Sequence, residues 1–319
     1  MPNRKVEEQL EALKALRGAG LNDTNVETLR QGLRDRVNVV VAKAAGIVAE
    51  MQAIVLIPDL VQAFARFLEK PKEKDPQCWG KNAIAQALKD LSHVESNVFV
   101  SGMRHLQLEP VWGGQVDTAV TLRGICTLAL VQCTDLPRRE ILRHLVDALT
   151  DCEARVRVEG ARALEEMDGD EAALLLRLKA RGGDKEAAVT GQVLESLLRL
   201  QGDSVVPFVA EFLRTDREEV RDEAALALGV SRLPSAVDVL IETWTKQRNP
   251  PAGSSVLRGL SASRQERAME FLIQILRDGR EWEAEEALAA LELHRKTEEL
   301  WARVREIVIH RSLPLRISI

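Results

Sequence analysis

Tyrosine is absent from this chain, and the aromatic share is only 3%, carried by five Trp and six Phe. That scarcity weighs against recognition of RNA or single-stranded nucleic acid, which depends on aromatic stacking platforms. Cysteine is also scarce. Four in a chain of this size make no disulfide framework, which fits a reducing compartment and an expected cytoplasmic location. No apolar run approaches the roughly 18–20 residues of a membrane span, and the charged start, Met1–Leu10, reads as a helix rather than a signal peptide. Neither sign of charge dominates: 44 basic residues stand against 49 acidic ones, net −5, so bulk charge implies no polyanionic partner. What is present is an ordinary globular balance, 45% apolar and 29% charged, over 319 residues. That length passes the point, about 250–300 residues, at which one conventional core stops growing.

A repeat resolves the length. The stretch 216–229 reads DREEVRDEAALALG, and with Val220 as anchor the pattern returns at Val37, Gly80, Leu122, Val156, Val189, Ala252 and Glu283. The successive spacings are 43, 42, 34, 33, 31, 32 and 31 residues. Eight residues past each anchor stand Ala45, Leu88, Leu130, Leu164, Leu197, Leu228, Leu260 and Leu291. Seven past it stand only small residues: Ala44, Ala87, Ala129, Ala163, Ser196, Ala227, Gly259 and Ala290. Anchor, +4 and +8 form one stripe of a helix, and the small column beside it allows a neighbouring helix to come close. One amphipathic helix would explain one copy, but not eight in register.

Between anchors lie second amphipathic segments, among them Pro58–Glu69, Pro137–Leu149, Glu171–Ala180, Val205–Arg214, Pro234–Lys246 and Gln265–Arg277. Several open on Pro or on an Asp or Ser cap, as helix starts do. Strand signals are nearly absent. Each unit is thus a helix–turn–helix that cannot bury its apolar face alone, so neighbours must stack. The expected fold is all-α: a right-handed α-solenoid of about eight helical hairpins with helical caps, one domain over 1–319. Residues 1–23 form its N-terminal cap, 24–311 the repeats and 312–319 a tail.

The string V-R-x-x-A-A-x-x-L-G, seen as Val220-Arg221, Ala224-Ala225 and Leu228-Gly229, resembles the short bacterial HEAT repeat also found in phycobilisome-lyase proteins. A degraded copy starts at Val156-Arg157. The resemblance covers roughly 24–311 and implies the solenoid fold and a binding or scaffolding role. The chain as a whole resembles an uncharacterised bacterial HEAT-repeat family.

At the N-terminus, residues 3–17 are expected to form a helix with Val6, Leu10, Leu13 and Leu16 inward. At the other end, 295–311 should form a helix carrying Leu300, Val304, Ile307 and Val308. The apolar tail Leu313–Ile319 is expected to pack over the last repeat rather than await a partner strand. The N-terminal repeats are about ten residues longer than the rest, with the excess in Pro71–Trp79 and in the loop Leu106–Gln115, LQLEPVWGGQ. Long loops in compact arrays tend to be functional. Around this loop gather His105, Gln107, Glu109, Trp112, Asp117 and Arg123, with Trp79 and Lys81 on the neighbouring repeat. These make a candidate recognition pocket with an aromatic wall and a polar rim. They also admit a purely architectural account, in which Trp112 plugs the loop, Asp117 caps a helix and Arg123 pairs with a carboxylate.

Catalytic signatures are missing. There is no C-x-x-C or H-E-x-x-H spacing; Cys126 and Cys133 are seven apart, and Cys126 falls on the buried stripe. His105 and Glu109 are four apart, but no third metal ligand is visible. Arg181-Gly182-Gly183-Asp184 and Gly113-Gly114 belong to no phosphate-binding string, and there is no G-x-S-x-G elbow. The acidic groups at Glu165-Glu166-Met167-Asp168 and Glu218-Glu219 read as solvated helix surface. Outward positions +2, +6 and +9 of the anchored helices carry Lys43, Lys89, Arg162 and Arg258 against Glu165, Glu195, Asp222, Glu285 and Glu292, which is no basic stripe for a phosphate backbone. Between them lie Gly124, Leu128, Val131, Gly191, Leu198, Leu226 and Gly229, a composition suited to a protein segment.

The sequence therefore leads us to expect a non-catalytic scaffold that binds another protein, without cofactor or metal, and with neither nucleic acid nor membrane as partner. The alternative is an enzyme or enzyme component on the same scaffold, either bilin lyase-like or excising DNA bases.

Overall fold

A computed structural model of the chain describes residues 2–246 and 252–311. The tail Leu313–Ile319 lies outside them. The architecture is an all-α solenoid of stacked hairpins, with one small sheet. The anchored helices are Asn38–Glu50, Trp79–Asp90, Val120–Leu130, Ala154–Met167, Ala187–Gln201, Glu218–Ser231, Ala252–Ser263 and Glu281–Leu291. All eight +8 residues, from Ala45 through Leu228 to Leu291, are 0% exposed. The +4 residues Val41, Ile84, Cys126, Val193, Ala224, Val256 and Ala287 are buried beside them. The sequence stripe is thus the core.

The described contacts gather into two compact units, Met1–Met167 and Asp168–Ile319. In the first, helix Pro2–Lys14 caps Asp23–Arg34 and Asn38–Glu50, and the anchored helices then pack each on the next as far as Ala154–Met167. The cap is shorter than its apolar pattern suggests. It stops at Lys14, with Leu13 buried and Val6, Leu10 and Leu16 only partly covered. In the second unit the four anchored helices again pack in series, with Gly169–Gly182, Pro234–Lys246 and Glu266–Asp278 among the helices laid against them. The last helix begins at Glu298, after a 3-10 turn at Glu292–His294, and buries Val304, Ile307 and Val308.

Small residues set how closely these helices approach. A Cβ on Gly229 would collide with the carbonyl oxygen of Gly259, and one on Gly259 with that of Ala225. The backbones of Glu218–Ser231 and Ala252–Ser263 therefore touch across the small column. This closeness corrects part of the outward register: Leu198, Gly229 and Ser261 at +9 are buried, whereas Leu226 at +6 is 46% exposed. Among the described residues no helix is long and apolar enough to cross a membrane.

The main departure from expectation lies in the long loop. Leu106–Gln115 is not irregular: β1 (Leu108–Val111) and β2 (Gly114–Asp117) pair antiparallel, with Leu108 opposite Asp117 and Val111 opposite Gly114. The reversal is the pair Trp112-Gly113. Gly113 has φ +84° at its second position, where a residue without Cβ fits without strain. The other long segment, Pro71–Trp79, forms two short turns, Pro71–Lys74 and Pro76–Cys78.

Candidate functional site

An isolated two-stranded hairpin is marginal in water, so the base of this one needs support. The support is polar. Asp75, fully buried, receives Asn38 Nδ2 at 2.9 Å and the backbone N–H groups of Gly80 and Lys81 at 2.8 and 2.9 Å. It thereby caps the helix that starts at Trp79. To bring the carboxylate there, the chain holds Gln77 and Cys78 at φ +61° and +57°, left-handed values that non-glycine residues rarely adopt. Lys81 is also fully buried; its ammonium lies 3.0 Å from Asp75 Oδ2, off the line of a good hydrogen bond.

Gln107 ties the hairpin to this cap. Its amide N–H groups donate to Asp75 O at 2.9 Å and to Glu109 Oε1 at 2.6 Å, and its Oε1 lies 3.0 Å from His105 Nε2. The His105 ring therefore carries its proton on Nε2 in this arrangement. Burial lowers the pKa of His105, against the hydrogen bond to Gln107. Glu109 Oε1 also accepts from Gln77 N at 2.6 Å and Thr118 Oγ1 at 2.8 Å. Desolvation opposes the charge on Glu109, but the bonds from Gln107, Gln77 and Thr118 outweigh it and hold the carboxyl below its ordinary value.

A second knot closes the other strand. Arg123, 4% exposed, reaches both oxygens of Asp151 at 2.8 and 3.1 Å, Asp117 Oδ2 at 2.5 Å and His105 O at 3.2 Å. Asp117 accepts as well from Gln107 N and from Ala119 N, at the entry to helix Val120–Leu130. Desolvation again works against its charge; the Arg123 guanidinium and the two backbone donors overcome it and leave its pKa lowered.

Of the residues picked out from sequence, Lys81, Asp117 and Arg123 therefore stand inside, in ion pairs that fix the hairpin. His105 and Glu109 are half-buried in the same network. The helix before the hairpin ends at Met103, so the four-residue spacing of His105 and Glu109 puts nothing on one helical face. Among the described residues no His, Cys, Asp and Glu group could hold a metal ion. Cys126 is 0% exposed, and burial raises its pKa far above an ordinary thiol, while Cys78 is pushed up to about 11.

Trp112 and Trp79 point the other way. Trp112, at the hairpin tip, is entirely exposed and plugs nothing; Trp79 is about half exposed. Leu106, Val111 and Val116 are also exposed. The arrangement is a rigid polar base carrying an apolar tip. Sequence reasoning missed Asp75 and Asp151, although each has the form of a helix-capping Asp just ahead of an anchored helix.

A family comparison agrees with the fold. Residues 142–229 and 216–292 match the family described as HEAT repeats. No curated protein matches the chain. Among solved structures, human deoxyhypusine hydroxylase in complex with glycerol is 20% identical, covering 82% of this chain and 97% of that one, at a TM-score of 0.31. The complex of CpcE and CpcF of phycocyanin lyase from Nostoc sp. PCC7120 is 19% identical, covering 73% and 89%, at a TM-score of 0.36. The two matches together make residues 142–292 a run of HEAT repeats, and the buried column that runs from Ala45 to Leu291 continues the same pattern N-terminal to them.

Proposed function

We propose that this protein is a non-catalytic scaffold that holds a partner protein, and that the partner docks on the hairpin tip at Trp112. One observation carries the reading: a tryptophan with no cover from its own chain stands at the end of a two-stranded arm whose base is locked by Asp75, Gln107, Glu109, Asp117 and Arg123. Soluble proteins seldom leave large apolar groups together in water unless something covers them. Tryptophan is a favoured interface anchor, and truncating such an anchor costs about 2 kcal/mol or more in binding. A pre-ordered arm also lowers the entropy lost on docking. The partner this arm suits offers an apolar pocket the size of an indole.

The same network supports a role without chemistry. Glu109, Asp117 and Arg123 each already hold several partners, and His105 is hydrogen-bonded to Gln107, so they serve the arm rather than a substrate. Photo-crosslinking in the native host tests the proposal. A photo-reactive residue at position 112 should join one protein reproducibly, whereas the same residue at position 174, another exposed apolar site, should not. Identical crosslinking patterns from both positions would remove the hairpin from the account.

A further inference from the structure

Three consecutive repeats of the second unit build a pocket that the hairpin account does not use. It has a volume of about 460 Å³ and lies where the helices Glu218–Ser231 and Ala252–Ser263 and the turn Glu292–His294 end. Val230, Ala262 and Leu293 give it an apolar lining; Leu293 is 73% exposed. Arg232 and Arg264 stand at its rim with His294, and no acidic residue lines it. In a chain of net charge −5 that is a local reversal of sign.

The two arginines occupy the same repeat position, twelve past the anchors Val220 and Ala252. Both are left-handed, at φ +56° and +55°, on the first residue beyond a helix, where glycine is the easy choice. Their guanidinia do not close the helices. Ser231 Oγ donates to Leu228 O and Ser263 Oγ to Leu260 O, while the backbone N–H groups of Arg232 and Arg264 take Gly229 O and Ser261 O. Elsewhere the chain does use arginine side chains for such carbonyls: Arg66 on Leu33 and Asp35, Arg217 on Asp184 and Lys185, Arg311 on Leu276 and Gly279. Arg232 and Arg264 have no side-chain hydrogen bond, ion pair or ring contact among the described residues. Two cations thus sit on strained backbone, face one pocket, and neutralise nothing.

We infer that this pocket binds an acidic peptide segment of a partner, with an aliphatic side chain seated on Val230, Ala262 and Leu293 and flanking carboxylates held by Arg232 and Arg264. Guanidinium matches carboxylate in shape and charge, and the apolar lining selects a side chain over a bare anion. The inference stands apart from the hairpin reading, since every residue it uses lies in the second unit.

Glycine substitution tests it, because glycine suits the left-handed position and removes a side chain that makes no hydrogen bond or ion pair among the described residues. A displayed library of short random peptides is selected against the full chain, and enriched peptides are titrated against wild type, Arg232→Gly, Arg264→Gly and Trp112→Ala. Enriched peptides should pair Asp or Glu with Leu, Ile or Val. Affinity should fall about tenfold per arginine removed, as losing a charge-assisted bond implies, with unchanged melting temperatures and no effect of Trp112→Ala. Failure to enrich any peptide, enrichment without acidic residues, or equal affinity for the glycine variants would overturn the inference. So would glycine variants that melt earlier, because the arginines would then be structural.

Discussion

Asp75 meets three hydrogen-bond donors and an ammonium with two carboxylate oxygens, all out of water. Removing one member of a buried ion pair leaves the other uncompensated, a loss of about 3–5 kcal/mol. Asp75→Ala should destabilise the first unit by that amount in chemical denaturation. Adding Lys81→Met should recover part of the loss, since the stranded ammonium is gone while the helix cap is still missing. Acid should act on the same region in two stages. The pKa of His105 is lowered by burial, so below about pH 6.5, the ordinary histidine value, the unfolded chain binds a proton that the folded chain refuses, and stability falls. The pKa values of Glu109 and Asp117 are also lowered in the fold, so their contribution is complete above about pH 5, beyond the ordinary carboxylate values, and is lost as pH drops through their folded values. Amide protection across 105–118, relative to the intrinsic exchange rate at each pH, should fall in those two windows. His105→Asn should remove the first alone. The sequence marked His105, Glu109, Trp112, Asp117 and Arg123 by composition, but it hid which ones face inward. Asn38 and Asp75 are 37 residues apart and Arg123 and Asp151 are 28 apart, and no local pattern links them.

The helices were legible because each hides one stripe, and the stripe repeats. Leu228 and Leu226 make the contrast measurable: neighbours on one helix, the first 0% and the second 46% exposed. Leu228→Ala should cost about 2–5 kcal/mol, the usual penalty for truncating a packed leucine, while Leu226→Ala should stay within about 0.5 kcal/mol. Gly229→Ala should also destabilise, because its added methyl meets the Gly259 backbone rather than a flexible side chain. The hairpin was not legible for a matching reason. Both of its faces are largely exposed, so Leu108–Val111 and Gly114–Asp117 show no alternation of buried and open positions. Pro110 and the pair Gly113-Gly114 then read as loop residues. What holds the strands in place is the polar base, which lies in the third dimension and not in the string.

Across the whole chain, a linear stack divides its stability among neighbouring repeats rather than one core. The two compact units, meeting in sequence at Met167 and Asp168, should accordingly not melt in a single two-state step. Calorimetry should show more than one transition, and Asp75→Ala should move only the one belonging to Met1–Met167. Binding separates from this stability at one residue. Trp112 covers nothing in its own fold, so Trp112→Ala should leave every transition in place. Arg123→Ala should loosen the arm and lower the first unit's transition, since Arg123 holds Asp117, Asp151 and His105 O. The most direct measurement is titration of the protein crosslinked from position 112 against wild type and Trp112→Ala, with melting temperatures taken on the same samples. The account predicts unchanged melting and an affinity at least about thirtyfold weaker, equivalent to roughly 2 kcal/mol. Equal affinity at equal stability would contradict it.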